Sequence, residues 1–243
     1  MGQEFNTMKQ VKSSGRLAGI LLLAAVAWAQ QTSNSGSNPA LERILGQMDN
    51  AAASFRSAEA SFVWDQYQKV VDETDTQKGK VYFRRAGNQT QMAADITEPD
   101  AKYVLFTGSK VEVYQPKIEQ VTVYDAGKNR AAFESFLVLG FGGGGHEMLK
   151  SFDVSYLGAE KLEDIDTAKL ELIPKTQKVR NIFSHILLWI DPSRGVSVQQ
   201  QLFEPSGDYR LSRYSAIKWN EKVPDSVFKL KTTGKTKFVS PQG

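Results

Sequence analysis

Residues 79–87 read GKVYFRRAG. A glycine opens the stretch, Val81-Tyr82-Phe83 is a strand-forming run, and two adjacent arginines close it. Successive strand residues point to opposite faces. If one face is solvent and the other is core, one of Arg84 and Arg85 is aimed at the apolar side. Such an arginine is costly unless it is paired. The plain alternative is an exposed arginine pair on an edge strand.

Strand patterning spreads outward from this stretch. Upstream, residues 58–71 (AEASFVWDQYQKVV) interleave Phe62, Trp64 and Tyr67 with polar residues. Downstream come Gln89–Asp95, Lys102–Thr107, Lys110–Tyr114 and Glu119–Asp125, punctuated by Ala-Gly-Asn, Glu-Pro-Asp, Gly-Ser-Lys and Gln-Pro-Lys. Strands resume at Ser151–Glu160, Thr167–Pro174, Ile186–Asp191, Val196–Glu204 and Tyr209–Trp219, and a short piece at Val227–Lys231 closes the set. Two segments have helical period. Residues 39–56 place Leu41, Ile44, Leu45 and Met48 on one face, with Asn38 to cap and Pro39 in the first turn. In Asn129–Lys150, Phe133, Phe136, Leu137 and Leu139 predict a helix that GFGGGG breaks and His146–Lys150 restarts.

About eleven strands strain an open sheet, which curls or splits near ten. With two helical segments available as cover, the predicted fold is mainly β with an α lid: a strongly curved antiparallel half-barrel with helices across its concave face, one domain over residues 39–243. Sheet and helices then enclose a cavity of the kind that takes apolar ligands. Its candidate lining is Phe62, Trp64, Tyr82, Phe83, Met92, Tyr103, Leu105, Val113, Leu187, Trp189 and Leu202. The plain alternative is that many of these only fill a core.

The first residues are an export leader. Lys9, Lys12 and Arg16 precede the 13-residue apolar run LAGILLLAAVAWA, residues 17–29, which ends in the small-residue pattern Ala27-Trp28-Ala29. A bilayer needs about 20 residues, so cleavage after Ala29 is expected rather than an uncleaved anchor. Residues 30–38 form a polar tether. Of the 30 basic and 27 acidic residues of the whole chain, three and one lie in the leader, so the mature part is near neutral and gives no reason to invoke nucleic acid. The chain has no cysteine, which excludes disulfides, thiol chemistry, cysteine metal sites and a lipidated N-terminus. The two histidines, His146 and His185, stand far apart, and no metal-binding, phosphate-loop or triad motif is present. No enzyme, metal or cofactor is expected.

GKVYFRRAG, the pair FTGSKVEV at 106–113 and YQPKIEQVTVYD at 114–125 together resemble the LolA/LolB family of periplasmic lipoprotein carriers. The later FLVLGFGGGGHEMLKSFDVSYLGAEKL, LWIDP and the run from Gly195 to Lys231 are similar to its versions outside the enterics, so the likeness covers roughly 40–232. The resemblance implies a soluble, monomeric, periplasmic carrier. It would take acyl chains of lipoproteins from an inner-membrane ABC-type exporter and give them to an outer-membrane acceptor. It also implies that the second basic residue of the strand, Arg85, latches the lid; Ala86 stands where the family has proline, so Arg84 remains the second candidate. Two other readings stand beside it: a carrier of another lipid (glycolipid or hopanoid), or an RseB-like sensor of mislocalised lipoproteins. Sensors of that type carry a second domain, which a chain ending soon after its last predicted strand disfavours.

Overall fold

The computed structural model describes residues 38–87, 89–125 and 139–241. The leader at 1–29, the tether up to residue 37, and Phe133, Phe136 and Leu137 of the predicted lid helix lie outside the described residues.

Helix α1 runs Pro39–Ser54, begun by the Asn38 side chain accepting from the Ala40 N–H at 3.0 Å. Its buried face is Ile44, Leu45, Met48 and Ala51. The chain then turns at Phe55 into strand β1, Ser57–Gln68. Asn220 fixes this corner: its side chain accepts from Arg56 N–H at 2.6 Å and donates to the Ser54 carbonyl at 2.8 Å.

An antiparallel meander follows: β2 Glu73–Ala86, β3 Gln89–Glu98, β4 Lys102–Thr107, β5 Lys110–Gln115 and β6 Gln120–Asp125. After a short helix α2, Gly145–Met148, come β7 Phe152–Leu162 and β8 Ile165–Pro174. Another short helix, α3 Gln177–Arg180, leads to β9 His185–Asp191, β10 Val196–Phe203 and β11 Tyr209–Trp219. A last strand, β12 Lys237–Val239, pairs parallel to β6. All twelve form one curved sheet, ordered β12-β6-β5-β4-β3-β2-β1-β11-β10-β9-β8-β7 and not closed into a barrel. The predicted half-barrel is the observed fold.

Two sequence expectations are corrected. Residues 227–231 form no strand: a 3-10 turn at Asp225–Phe228 opens an extended strap, and Val223, Val227, Phe228 and Leu230 pack on Ala93 and Leu105 of the sheet. Their apolar spacing answers to packing on a face rather than to ladder pairing. Strand β2 starts at Glu73, six residues before Gly79, because the hairpin ladder continues through polar residues in register Gln68↔Glu73.

The face carrying α1, the inner face, holds two apolar clusters. One joins Ile44, Leu45, Met48 and partly buried Leu41 to Leu139, Met148, Phe152 and the β8–β9 residues Leu170, Leu172, Ile186 and Leu188. The other joins Phe55 to Phe62, Val81, Phe83, Met92, Ala94, Phe106 and Phe141. Among the described residues no helix is long and apolar enough to cross a membrane.

Candidate functional site

The arginine pair resolves by strand alternation. Val81 and Phe83 face the inner side, so Arg85 shares that side and Arg84 takes the outer one. Arg84 forms an ion pair with Asp225, donates to Gln91 Oε1 at 3.1 Å and 2.7 Å, and lies 4.2 Å over the Phe228 ring. It fastens the strap to the outer face. Arg85 reaches two backbone carbonyls at long range, Ala52 at 3.3 Å and Gly142 at 3.5 Å, with its guanidinium 5.7 Å from the Phe55 ring. Ala52 lies in the last turn of α1, and its carbonyl also accepts from the Phe55 N–H at 3.2 Å. Arg85 is exposed at the strand's end, so the expected cost of burying a charge does not arise. Water competes for its bonds, and the grip is weak.

The candidate lining divides between faces. Phe62, Trp64, Phe83 and Met92 belong to one inner cluster and Leu202 to the other. Val113 pairs with Val104 of the inner face. The remaining five are corrected to the outer face. Tyr82, Tyr103 and Leu105 lie beneath the strap, and the Tyr103 hydroxyl donates to the Val227 carbonyl. Burial, with the nearby Asp95 charge, pushes the Tyr103 pKa up to about 12. Leu187 and Trp189 alternate with inner Ile186, Leu188 and Ile190 and face outward, Trp189 under the Lys169 ammonium at 4.7 Å. Aromatic residues on both faces of one strand carry no mark of side when each face is covered.

The interior expected to stand vacant is filled in this conformation. Phe141, 1% exposed, stacks on Phe83 at 4.9 Å between ring centroids and meets Tyr214 edge-on at 4.9 Å. Leu139, two residues away, enters the other cluster. One backbone and one side-chain bond seat the segment on β10: Ser197 N–H donates to Gly140 O at 3.0 Å, and Gln200 Nε2 donates to Leu139 O at 2.5 Å. The glycine run permits this approach. Gly142 has φ +86°, and a Cβ there would fall 2.4 Å from the Phe55 ring; one on Gly145 would fall 2.3 Å from the Leu45 carbonyl. An open groove of 570 Å³ beside Lys78, Lys80, Tyr82 and Asp95 lies on the outer face, as does one of 340 Å³ between the strap and β3–β5.

Helix α2 is tied to α1 through His146. Its ring nitrogens face Asp49 Oδ2 and, at 3.1 Å, Glu42 Oε2, while its backbone N–H donates to Asp49 Oδ1 at 3.1 Å. The Asp49 hydrogen bond first, and the Glu42 one second, raise the imidazole pKa above its ordinary value. Glu42 and Asp49 lie seven residues apart, on one helix face, the sequence signal that could have pointed to this contact. His185 stacks on Phe203 at 4.2 Å.

Residues 53–231 match the family model described as outer membrane lipoprotein carrier protein LolA. No curated protein sequence matches the chain. Among solved structures, an uncharacterized conserved protein from Thermus thermophilus is similar at 10% identity and TM-score 0.53, over 83% of this chain and 99% of that one. The structure of MucB, a protein of Pseudomonas aeruginosa, is similar at 9% identity and TM-score 0.51, over 80% of this chain and 64% of that one.

Proposed function

The chain belongs to the LolA family of outer membrane lipoprotein carrier proteins, and from that membership we propose that it is a periplasmic carrier of lipoprotein acyl chains, exported through cleavage after Ala29. In this reading it takes acyl chains at the inner membrane from an ABC-type exporter and yields them to an outer-membrane acceptor.

The observation that carries the reading is the weak closure of an apolar interior. Arg85 links the end of β2 to the last turn of α1 and to Gly142, the residue next to Phe141. Two long, exposed hydrogen bonds of this kind are worth about 1 kcal/mol together. Moving Phe141 and Leu139 into water costs about 3–6 kcal/mol. An acyl chain that buries about ten methylenes gains about 8 kcal/mol. Cargo wins by a small margin, as a carrier that must also let go requires.

Arg85→Leu removes bonds made only in the closed, empty state. The variant is expected to fold and to bind acyl chains, and to release them to acceptor vesicles roughly fivefold more slowly, the factor that corresponds to about 1 kcal/mol. Transfer of a fluorescent acyl probe from protein to vesicles measures this; release at the parent rate counts against the latch. Native mass spectrometry of protein from its own periplasm separates lipoprotein cargo from glycolipid or hopanoid. The likeness to MucB keeps the sensor alternative open. A carrier passes its lipid on to an acceptor, whereas a sensor retains it.

A further inference from the structure

A polar row crosses the inner wall at the edge of the Phe55–Phe141 cluster. Gln200 on β10 pairs in register with Ser212 on β11, and Ser212 with Trp64 on β1, so the three stand abreast across the inner wall. Gln200 is 7% exposed and Ser212 4%. Tyr214, two residues along β11, brings its hydroxyl to Gln200 Oε1 at 3.5 Å. Burial pushes its pKa up to about 12 and keeps it a neutral phenol. Trp64 Nε1 is sealed from solvent and leans on the Tyr214 oxygen without a full hydrogen bond. A wall meant only for hydrocarbon has no use for such groups, because buried donors without acceptors are costly.

The Leu139–Phe141 segment shows what the row accepts. Its Leu139 carbonyl takes the Gln200 amide at 2.5 Å, and its two apolar side chains diverge, Leu139 into one cluster and Phe141 into the other. A carbonyl at a branch point, flanked by two apolar arms, is also the chemistry of an ester or amide that joins acyl chains to a head. We propose that Gln200, supported by Ser212, Tyr214 and Trp64, is the binding site for the ester or amide carbonyl of an acyl cargo, and that the Leu139 carbonyl occupies it in the closed protein. This rests on the carrier reading and narrows its substrate class: cargo must return a carbonyl to Gln200 when it expels the segment, and hydrocarbon alone leaves that donor stranded.

The test uses delipidated protein and two glycerophospholipids of equal chain length, one ester-linked and one ether-linked. Each is titrated in competition with a fluorescent fatty-acyl probe. The ester lipid is expected to bind about tenfold more tightly, equivalent to about 1.4 kcal/mol. Gln200→Leu should lose that preference while still binding the ether lipid, so the ether lipid doubles as a check on folding. Trp64→Phe, which keeps a ring but removes the N–H, should reduce the preference in part. Equal affinities in the parent protein, or a preference that survives in Gln200→Leu, overturn the assignment and leave the carrier reading standing. Binding of neither lipid overturns both.

Discussion

At the scale of single residues, Arg84 and Arg85 do opposite jobs because they are neighbours on a strand. One pins the strap on the outer face, the other touches α1 and the glycine segment on the inner face. Arg84 combines two part-buried bonds to Gln91, a ring contact and an exposed ion pair with Asp225. Arg84→Ala is expected to lower stability by about 1–2 kcal/mol, measured by urea unfolding. Arg85→Leu should cost less, about 1 kcal/mol at most, since exposed contacts contribute little. Equal losses from the two variants would mean that the sides are misassigned. The alternation itself was legible in GKVYFRRAG; the side was not. Tyr82, Tyr103 and Leu105 read like inner-wall residues because the strap makes the outer face of β2–β4 as apolar as the inner one.

Elements followed the sequence where local chemistry decided them. Asn38 and Pro39 fix the start of α1, and the helical restart expected at His146 is α2, one residue early. The start of β2 and the strap were illegible because both depend on partners far along the chain. The α1–α2 junction is another such case, and it responds to pH. Asp49 and Glu42 of α1 face both ring nitrogens of His146, while Glu147 and Lys150 beside it pair with each other at 2.6 Å. Both ring nitrogens can donate only in the imidazolium. The folded pKa is raised above the ordinary value of about 6.5. The contact is therefore fully present below that value and is lost as pH rises through the folded pKa. Hydrogen exchange at the amides of residues 140–148 should quicken as pH rises above about 6.5, beyond its intrinsic pH dependence. His146→Gln should abolish that excess. An excess that persists in the variant would place the titrating group elsewhere.

At the scale of the whole molecule, an open sheet of twelve strands must cover two faces and end two edges. Strand β12, with three residues, and β7, with alternate exposed positions, form edges poor in continuous apolar surface. The faces are covered by different means. The strap meets the outer face with Phe228, 7% exposed, and the glycine segment meets the inner face with Phe141, 1% exposed. Either ring cut to alanine should cost about 3 kcal/mol of stability. Their effects on ligand should part. In the proposed carrier reading cargo does not enter the face that Phe228 holds, so Phe228→Ala is expected to bind a fluorescent acyl probe as the parent does. In the carrier reading proposed above, Phe141 stabilises the empty protein and competes with cargo for the same space. Phe141→Ala, although less stable, should therefore bind the probe roughly ten- to thirtyfold more tightly, the equivalent of about 1.5–2 kcal/mol no longer needed to expel the ring. If Phe141→Ala binds no better than the parent, Phe141 is ordinary core and acyl chains go elsewhere. If Phe228→Ala gains affinity as well, loosened packing rather than a vacated site explains both.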